Sequence, residues 1–366
     1  YPPGREYPTA FWDALYPYFL AGLYALFGHS IPMVRIVQAA IGAGAVALTF
    51  VVGRQVARPV VGLLAATVSA VYPFFVYYAG HLLTETLFMA LILGVFAAGF
   101  RAVETRSGGW FLALGTLNGL AALCRAEALL FGMAFVAWAA WRSSKLLSRQ
   151  MRLGAVALAA MLVVMLPWGL RNQATHGQFI LTTTKLGYNL YKYYHPTMTA
   201  DQTVRTVPFP EFGERTEPQR EALLREHGVR FMLDDPGRTV WFMLNKLALL
   251  FKLVPSNEVN RQYALFSLGS YGLLLPFMAA GFVLAARRGG RFLPVLVYVL
   301  FSVATKVAVF AGIRLRMQIE PFLILLAAFA LVALAERVLG AAGVSWWAPR
   351  RPMPTPSPTL QPRRMA

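Results

Sequence analysis

Long apolar runs separated by short polar links make up most of the chain. Nine runs are long enough, or nearly so, to cross a hydrocarbon layer of about 30 Å as helices rising about 1.5 Å per residue. They cover residues 31–53, 59–78, 83–101, 109–124, 126–142, 153–170, 264–285, 292–311 and 317–336. The period-two alternation typical of barrel strands is absent. The pattern therefore predicts an all-α polytopic transmembrane helical bundle with about nine spans.

The composition agrees with a membrane protein. Of the 366 residues, 57% are hydrophobic and 14% are charged, and the mean hydropathy is +0.54. A water-soluble chain of this length could not bury so much apolar surface. The net charge of +18 is spread over several links, so topology and anionic lipid explain it better than nucleic acid does. We therefore expect membrane lipids, and no nucleic acid, as partners.

The basic residues indicate the orientation. If nine spans are counted, the links at 54–58, 101–106, 142–152 and 287–291 all fall on one side, together with the Arg-rich tail. Short links rich in Lys and Arg stay in the cytoplasm. The C-terminus is therefore predicted to be cytoplasmic, and the links near residues 81, 125 and 314 exoplasmic.

Residues 9–28 carry aromatic and apolar side chains at helical spacing, which predicts a helix lying on the exoplasmic surface. A buried span is the alternative, and it would invert the orientation. The chain begins with Tyr inside a Pro-rich stretch, so we expect a preceding helix and part of the first loop to be missing. The predicted parts are an exoplasmic loop remainder at 1–30, spans one to six at 31–170, a large exoplasmic loop at 171–262, spans seven to nine at 263–336, and a disordered cytoplasmic tail at 337–366.

The link between the fourth and fifth runs contains no Gly or Pro, yet the chain must reverse there to keep 142–152 on the basic side. Irregular backbone at membrane depth persists only where it is buried in protein or borders a wet cavity. Arg125 and Glu127 are therefore predicted to border a cavity, and Arg125 is a candidate phosphate ligand. Gly115 and Gly119 are spaced for close helix packing.

Charged residues near the ends of two spans are candidate site residues. Glu85 opens a span beside His81 and Thr84, and it is either a carboxylate favoured by the helix dipole or an acid that lines a cavity. Arg314 and Arg316 lie in a short exoplasmic link, against the positive-inside tendency. Glu320 or snorkelling could compensate them, or they could bind an anion.

An aromatic and amide-rich run follows the sixth span. Arg171 ends that span, and Tyr188, Asn189 and Lys192 come shortly after it. Aromatic rings can pack on the apolar face of a sugar while amide, amine and hydroxyl groups bond to its edges. These three residues, with His81, are candidate ligands for the sugar or the acceptor. An interfacial aromatic belt is the alternative interpretation.

The order of these motifs resembles bacterial membrane glycosyltransferases of the GT-C superfamily, close to the protein O-mannosyltransferase and aminoarabinose transferase relatives. The resemblance is carried by Tyr1-Pro2-Pro3, Tyr16-Pro17, Thr84-Glu85-Thr86, Arg125-Ala126-Glu127, Pro167-Trp168, Gly187-Tyr188-Asn189 and Arg314-Leu315-Arg316. It implies a GT-C type bundle in the bacterial inner membrane. It also implies inverting transfer of a sugar from a polyprenyl-phosphate donor to a lipid, glycan or protein acceptor on the exoplasmic face.

By the same resemblance, Glu85 matches the second acid of the family, and Arg171, Arg314 and Arg316 match basic positions near the donor phosphate. The main catalytic acid is expected upstream of residue 1. Asp13 is a weaker candidate, because a chain end would hold it poorly. No metal ligand set is apparent, although a divalent ion remains possible. A lipid or solute transporter or flippase is the alternative function, disfavoured because no internal repeat is visible.

The orientation can be tested with single cysteines in a Cys124→Ser background, since Cys124 is the only cysteine of the chain. A membrane-impermeant thiol reagent should label cysteines at positions 200–230 and leave those at 145–150 unlabelled in sealed cells, because the basic links stay inside. Labelling in the opposite pattern would overturn the orientation.

Overall fold

The computed structural model describes residues 8–199, 206–254 and 261–341. Within these ranges the chain is helical with no strand. The helices are α1 (Leu15–Phe27), α2 (Ile31–Val56), α3 (Pro59–Val71), α4 (Pro73–Ala79), α5 (Glu85–Thr105), α6 (Gly108–Cys124), α7 (Ala128–Ser143), α8 (Leu147–His176), α9 (Leu186–Tyr194), α10 (Glu217–Asp234), α11 (Pro236–Leu250), α12 (Arg261–Ser267), α13 (Leu273–Arg288), α14 (Phe292–Ala308), α15 (Ile313–Arg316) and α16 (Glu320–Ala341). A π-helical turn, Leu268–Gly272, joins α12 to α13. The all-α fold is confirmed, and most of the predicted tail lies outside the described residues.

Each of the nine predicted runs contains a helix, but not every helix is long enough to span a membrane. Five helical stretches among the described residues are long and apolar enough, namely α2, α5, α8, residues 264–288 and α16. The pair α3 and α4 makes a sixth if it is one broken span, and it bends by 56°. The helices α6, α7 and α14 are apolar but shorter, at 17, 16 and 17 residues. The chain is a multi-pass membrane protein whose spans differ in length.

Local sequence explains where several helices begin and end. Pro59 and Pro73 stand at the first positions of α3 and α4, where the missing N–H costs nothing. Pro73 also forces Tyr72 into an extended conformation, so α3 must stop there. Gly177 ends α8 in the left-handed region, with φ 69°.

Helix α1 is short, as an interfacial helix would be. Its 13 residues span only about 20 Å, too little for a hydrocarbon layer of about 30 Å. One side is held to the bundle by the Tyr16 hydroxyl, which donates to Gln38 Oε1 on α2 at 2.5 Å. Tyr18, Leu26 and Phe27 remain exposed. The position of α1 on the exoplasmic surface stays a prediction.

Aromatic rings fill the centre of the bundle. Phe96 on α5 lies 4.9 Å from Phe135 on α7 and 4.6 Å from Phe322 on α16, measured between ring centres. Tyr298 on α14 packs 4.8 Å from Phe131 on α7. Four helices from both halves of the sequence therefore share one core, which fixes the positions of their ends.

Glycines allow the closest helix contacts. A Cβ atom on Gly115 would lie 1.9 Å from the Ala157 carbonyl oxygen, where α6 crosses α8. At Gly281, where α13 crosses α16, it would lie 1.9 Å from the Leu326 carbonyl oxygen. Gly44 on α2, in contrast, has no neighbouring atom within 4 Å of such a Cβ. The close packing predicted at Gly115 is present, whereas Gly44 makes no close helix contact.

The links predicted to be cytoplasmic meet at one end of the bundle. Arg291 donates to the Gln55 carbonyl oxygen at 2.8 Å and to Glu104 Oε1 at 2.7 Å. Arg58 pairs with Glu336 at 2.5 Å. We call this the basic end. The links near residues 84, 125 and 314 meet at the other end, where Arg125 and Arg314 both pair with Glu85.

Gly115→Ala should lower the free energy of unfolding by about 1–3 kcal/mol, because the methyl group forces α6 away from α8. Gly44→Ala is the matched control. It should leave stability unchanged or raise it by up to about 1 kcal/mol through better helix propensity. Thermal unfolding of both variants in the same detergent gives the comparison, and equal midpoints would contradict the close contact.

Candidate active site

A buried carboxylate with two guanidinium partners is the centre of the site. Glu85 stands at the first position of α5, and its side chain is 0% exposed. Its Oε1 atom accepts from Arg125 Nη2 at 2.9 Å and from Arg314 Nε. Arg125 Nη2 also donates to the Thr84 hydroxyl oxygen at 2.9 Å. Three chain segments far apart in sequence thus meet at one oxygen atom.

The two arginines differ in exposure. The Arg125 side chain is 15% exposed, whereas that of Arg314 is 48% exposed. Arg125 occupies the break between α6 and α7, where its backbone is extended, with φ −153° and ψ 118°. The predicted reversal of the chain at this position is present. A ligand can therefore reach Arg314 more easily than Arg125.

Asp13 joins the same cluster from the segment that precedes α1. Its Oδ1 atom accepts from the Ala126 backbone N–H at 3.1 Å, directly beside Arg125. Burial raises the pKa of Asp13 above its usual value, while the charge of Arg125 opposes that rise. A carboxylate whose pKa is raised toward neutrality is better suited to accept a proton.

The segment that carries Asp13 is firmly held. The Ala10 N–H donates to Glu217 Oε1 at 2.9 Å, and the Thr184 N–H donates to the Ala10 carbonyl oxygen at 3.1 Å. The Thr184 hydroxyl donates to the same Glu217 oxygen at 2.6 Å. We expected a loosely held segment, and this expectation was wrong, because α10 and the chain before α9 tie it down.

Lys185 is a further cation of the cluster that sequence reasoning missed. Its ammonium lies 4.3 Å from the centre of the Trp12 ring and 5.6 Å from that of Phe11. Burial lowers the pKa of Lys185, the charge of Asp13 raises it, and Arg125 and Arg314 lower it. The signal that could have identified Lys185 in the sequence was its position shortly before the aromatic run.

An aromatic wall continues from Lys185 along α9. Tyr188 stacks on Phe209 with a ring distance of 5.3 Å and an angle of 6°, and it meets Phe11 edge to face. Lys192 lies 5.9 Å from the centre of the Tyr188 ring. Asn189 is half-buried on the same helix, one residue after Tyr188. The structure thus groups the predicted sugar ligands of α9 near the segment of Asp13.

An apolar pocket of about 340 Å³ adjoins the cluster. Ala14 and Leu15, next to Asp13, line it together with Leu123, two residues before Arg125. Pro167 and Trp168 of α8 complete its wall. Apolar groups of a ligand could therefore lie beside the charged groups.

Arg316 lies apart from Arg314. Its side chain is 0% exposed, and its Nε donates to Glu320 Oε1 at 2.6 Å. The guanidinium carbon lies 3.5 Å from the centre of the Tyr271 ring, and Nη1 donates to the carbonyl oxygens of Leu250 and Lys252. Its partners are thus protein groups. We leave Arg316 out of the phosphate-binding group that we propose below.

Two more predicted residues lie at the edges of the site. Arg171 donates to the Thr9 carbonyl oxygen at 3.2 Å and to Asn172 Oδ1 at 2.8 Å, so it supports the segment before Asp13. His81 is exposed, and its Nδ1 lies 2.8 Å from the Tyr77 carbonyl oxygen. Neither contacts Glu85 directly in the described interactions, and their predicted binding roles stay predictions.

Glu127 pairs with a lysine inside the bundle. Lys306 on α14 donates to Glu127 Oε1 at 3.1 Å and to the Ser302 hydroxyl oxygen at 2.6 Å. The Glu127 side chain is 26% exposed and that of Lys306 is 2% exposed. The predicted polar lining at Arg125 and Glu127 therefore extends deeper into the bundle, to Lys306 and Ser302.

The carboxylates of the site do not form a ligand set for a divalent ion. Glu85 Oε1 already accepts from two arginines, and Asp13 Oδ1 accepts from a backbone N–H. No group of three or more His, Cys, Asp or Glu side chains gathers within the described ranges.

Residues 14–168 match the family described as dolichyl-phosphate-mannose-protein mannosyltransferase. Glu85 and Arg125 fall within the matched range. The expected resemblance is confirmed. None of the curated protein sequences matches the chain significantly.

Comparison with solved structures gives matches at low sequence identity. The archaeal oligosaccharyltransferase AglB from Archaeoglobus fulgidus, solved with an inhibitory peptide and a dolichol-phosphate, is 14% identical with a TM-score of 0.55 and covers 92% of this chain. This chain spans 44% of the length of that protein. ArnT from Cupriavidus metallidurans, solved with undecaprenyl phosphate, is 15% identical with a TM-score of 0.38; the match covers 90% of this chain and 69% of ArnT. At this identity, the AglB likeness shows a shared fold.

The link that leads to Arg314 is held by a buried lysine. Lys246 on α11 is 1% exposed, and its ammonium donates to the Val309 carbonyl oxygen at 3.0 Å. It lies 3.7 Å from the centre of the Tyr194 ring, and the Tyr194 hydroxyl donates to the Ala308 carbonyl oxygen at 2.8 Å. Burial lowers the pKa of Lys246 to about 7. The link between α14 and α15 is thus tied to the large segment between α8 and α12, which contains α11.

Stability should rise between pH 7 and pH 10, because the unfolded chain binds a proton at Lys246 up to its ordinary pKa whereas the folded chain releases it near pH 7. Each pH unit contributes about 1.4 kcal/mol at most. Lys246→Met should flatten this rise, since it cannot bind a proton. Thermal unfolding at pH 7.5 and pH 9.5 tests this, and Lys252→Met, on the neighbouring link, is the control. A parallel rise in the Lys246→Met variant would contradict the assignment.

Proposed function

We propose that this chain is a membrane glycosyltransferase that moves a sugar from a polyprenyl-phosphate carrier to an acceptor with inversion at the anomeric carbon. The observation that carries the proposal is that Arg125 and Arg314 share a single oxygen atom of Glu85. With Asp13 and Lys185 included, and with Glu127 balanced by Lys306, three cations face two carboxylates, so a bound anion would neutralise the surplus. The match to a dolichyl-phosphate-mannose-protein mannosyltransferase family supports the same class.

The surplus cation suits the leaving group of such a reaction. When the bond between the anomeric carbon and the phosphate oxygen breaks, the bond electrons stay on that oxygen, and the phosphodiester becomes a monoester with more negative charge. Arg314 offers a half-exposed guanidinium, and Lys185 an ammonium nearby. Cations that face the developing charge lower the barrier because they interact more strongly with the transition state than with the substrate.

Glu85 acts in this proposal by positioning the two arginines. Its Oε1 atom is occupied by both guanidinium groups and its side chain is not exposed, so it is poorly placed to take a proton from an acceptor. A fixed carboxylate keeps both guanidinium planes in place before the donor arrives. Catalysis then needs little reorganisation of charge.

Asp13 is the candidate base among the described residues. Its raised pKa and its fixed position beside Arg125 favour proton transfer from an acceptor hydroxyl or amide to its free oxygen. The acceptor atom then forms a bond to the anomeric carbon on the face opposite the phosphate. This geometry produces inversion.

Recognition of the remaining groups follows from the surroundings. The aromatic wall of Tyr188 and Phe209, with Asn189 and Lys192, supports sugar or acceptor binding. The apolar pocket beside Ala14 and Leu123 suits the first isoprene units of the carrier. The acceptor is a lipid, a glycan or a protein. The reaction takes place on the exoplasmic face of the bacterial inner membrane, with the C-terminus in the cytoplasm.

Binding of polyprenyl phosphate, without transfer, tests the phosphate site directly. Arg314→Gln should weaken binding by about tenfold or more in lipid nanodiscs, since a charge-assisted contact is lost. Arg142→Gln is the matched control, because Arg142 is exposed on α7 and contacts the Trp141 ring at the end remote from Glu85. Unchanged binding in the Arg314 variant, with a folded protein, would contradict the site.

Transfer itself tests Asp13 and Glu85 separately. Asp13→Asn should lower transfer by about 100-fold or more while binding of polyprenyl phosphate persists, because only the base is removed. Glu85→Gln should impair both measurements, because the arginines lose their anchor. The unmodified chain is assayed beside both variants. Lipid translocation without transfer in the unmodified chain would favour the transporter alternative.

A further inference from the structure

A second candidate ligand site lies between α2, α5 and α6, outside the cluster around Glu85. It is a groove of about 970 Å³. Along α5 it extends from Leu87 to Glu104, which corresponds to about 25 Å of helix. Its walls are apolar, with Leu48 of α2, Leu91 of α5 and Leu117 of α6 among them. The groove is long and has apolar walls, as a site for a hydrocarbon chain would be.

A glycine forms part of the floor of the groove. A Cβ atom at Gly94 would lie 3.5 Å from the Leu117 side chain, an ordinary van der Waals distance, and both residues line the groove. Gln55 donates its amide to the Ala97 carbonyl oxygen at 3.1 Å and so links α2 to α5. The groove is therefore a built feature between packed helices.

Positive charge lies at one end of the groove only. Arg54 and Arg101 line it there with Glu104. Arg101 pairs with Glu104 at 3.2 Å, and the same carboxylate also pairs with Arg291 at 2.7 Å. Arg54 has no carboxylate partner within the described ranges, and its guanidinium lies over the Phe50 ring. Arg101 and Arg291 thus share one carboxylate and Arg54 has none, which leaves a surplus of two positive charges at this end.

The charged end coincides with the basic end of the bundle. Trp110 also lines it and is 40% exposed, and tryptophan favours the headgroup level of a bilayer. From Glu85 to Arg101 along α5 is 16 residues, or about 24 Å, so this site and the Glu85 site face opposite membrane surfaces.

We propose that this groove binds an anionic phospholipid of the leaflet at the basic end, with its phosphate between Arg54 and Arg101 and one acyl chain along Leu91 and Leu117. Charge complementarity selects the occupant. An anionic lipid brings a net negative charge to these arginines, whereas a zwitterionic lipid brings none and would leave the surplus unchanged. The apolar walls hold the acyl chain of the lipid within the membrane. The cations alone, in contrast, would bind any phosphate group.

The test measures bound phosphatidylglycerol and phosphatidylcholine on the purified full chain by native mass spectrometry. Arg54→Gln with Arg101→Gln should weaken phosphatidylglycerol binding by at least about tenfold and leave phosphatidylcholine binding unchanged. Arg142→Gln with Arg152→Gln is the control. It removes two exposed arginines at the ends of α7 and α8 that do not line the groove.

Several outcomes would overturn the proposal. Equal loss in both double variants would mean general attraction of anionic lipid to a basic surface. Displacement of the bound phosphatidylglycerol by inorganic phosphate would identify a simple anion site. Polyprenyl phosphate that competes in the unmodified chain but not in the Arg54/Arg101 variant would identify the donor carrier as the occupant. Dimers lost in the same variant would identify a second copy of the chain.

A final variant addresses the apolar wall and keeps the charges. Gly94→Leu fills the floor of the groove without touching Arg54 or Arg101, so it should displace the acyl chain and weaken phosphatidylglycerol binding. Gly44→Leu adds the same side chain to α2 where nothing lies within 4 Å, and it should have no effect. Equal affinity of the Gly94→Leu variant would contradict the placement of the chain.

Discussion

One buried carboxylate governs the arrangement of the site. Glu85 has no exposed side-chain surface, and a charge in that position needs partners because desolvation is costly. Arg125 and Arg314 supply them from the α6–α7 break and from α15. Loss of one partner from a buried pair typically costs about 3–5 kcal/mol. The ends of α5, α6 and α15 are therefore held together by one electrostatic requirement.

The rest of the cluster follows from that anchor. Arg125 can stay at the break only because the chain there is extended, and the freed Ala126 N–H finds its partner in Asp13. Asp13 in turn depends on Glu217 and Thr184, which fix the segment before α1. The large segment between α8 and α12 thus acts as a clamp on the site. This explains why Lys246, on that segment, also holds the link that leads to Arg314.

Sequence patterns predicted the helices and part of the site. Glu85, Arg125 and Arg314 were visible because charge at the end of an apolar run is costly and each run could be counted. Arg316 had the same signal, but it lies two positions after Arg314, and helical residues at that spacing face different directions. It consequently points to Glu320 and Tyr271. Lys185 and the hold on Asp13 depend on contacts between distant segments, for which a single sequence carries no periodic signal.

The spacing of the partners of Glu85 along the chain bears on how the protein is made. Glu85 and Arg125 are 40 residues apart, so they enter the membrane as neighbours on one hairpin, already neutralised. Arg314 follows 229 residues after Glu85, that is 229 − 40 = 189 residues after Arg125. At ribosomal speeds of about 5–20 residues per second, this delay lasts roughly 10–40 s. During biogenesis the hairpin therefore passes through an early charge-balanced stage, and the positive surplus that an anion would answer arises only when the last helices are inserted.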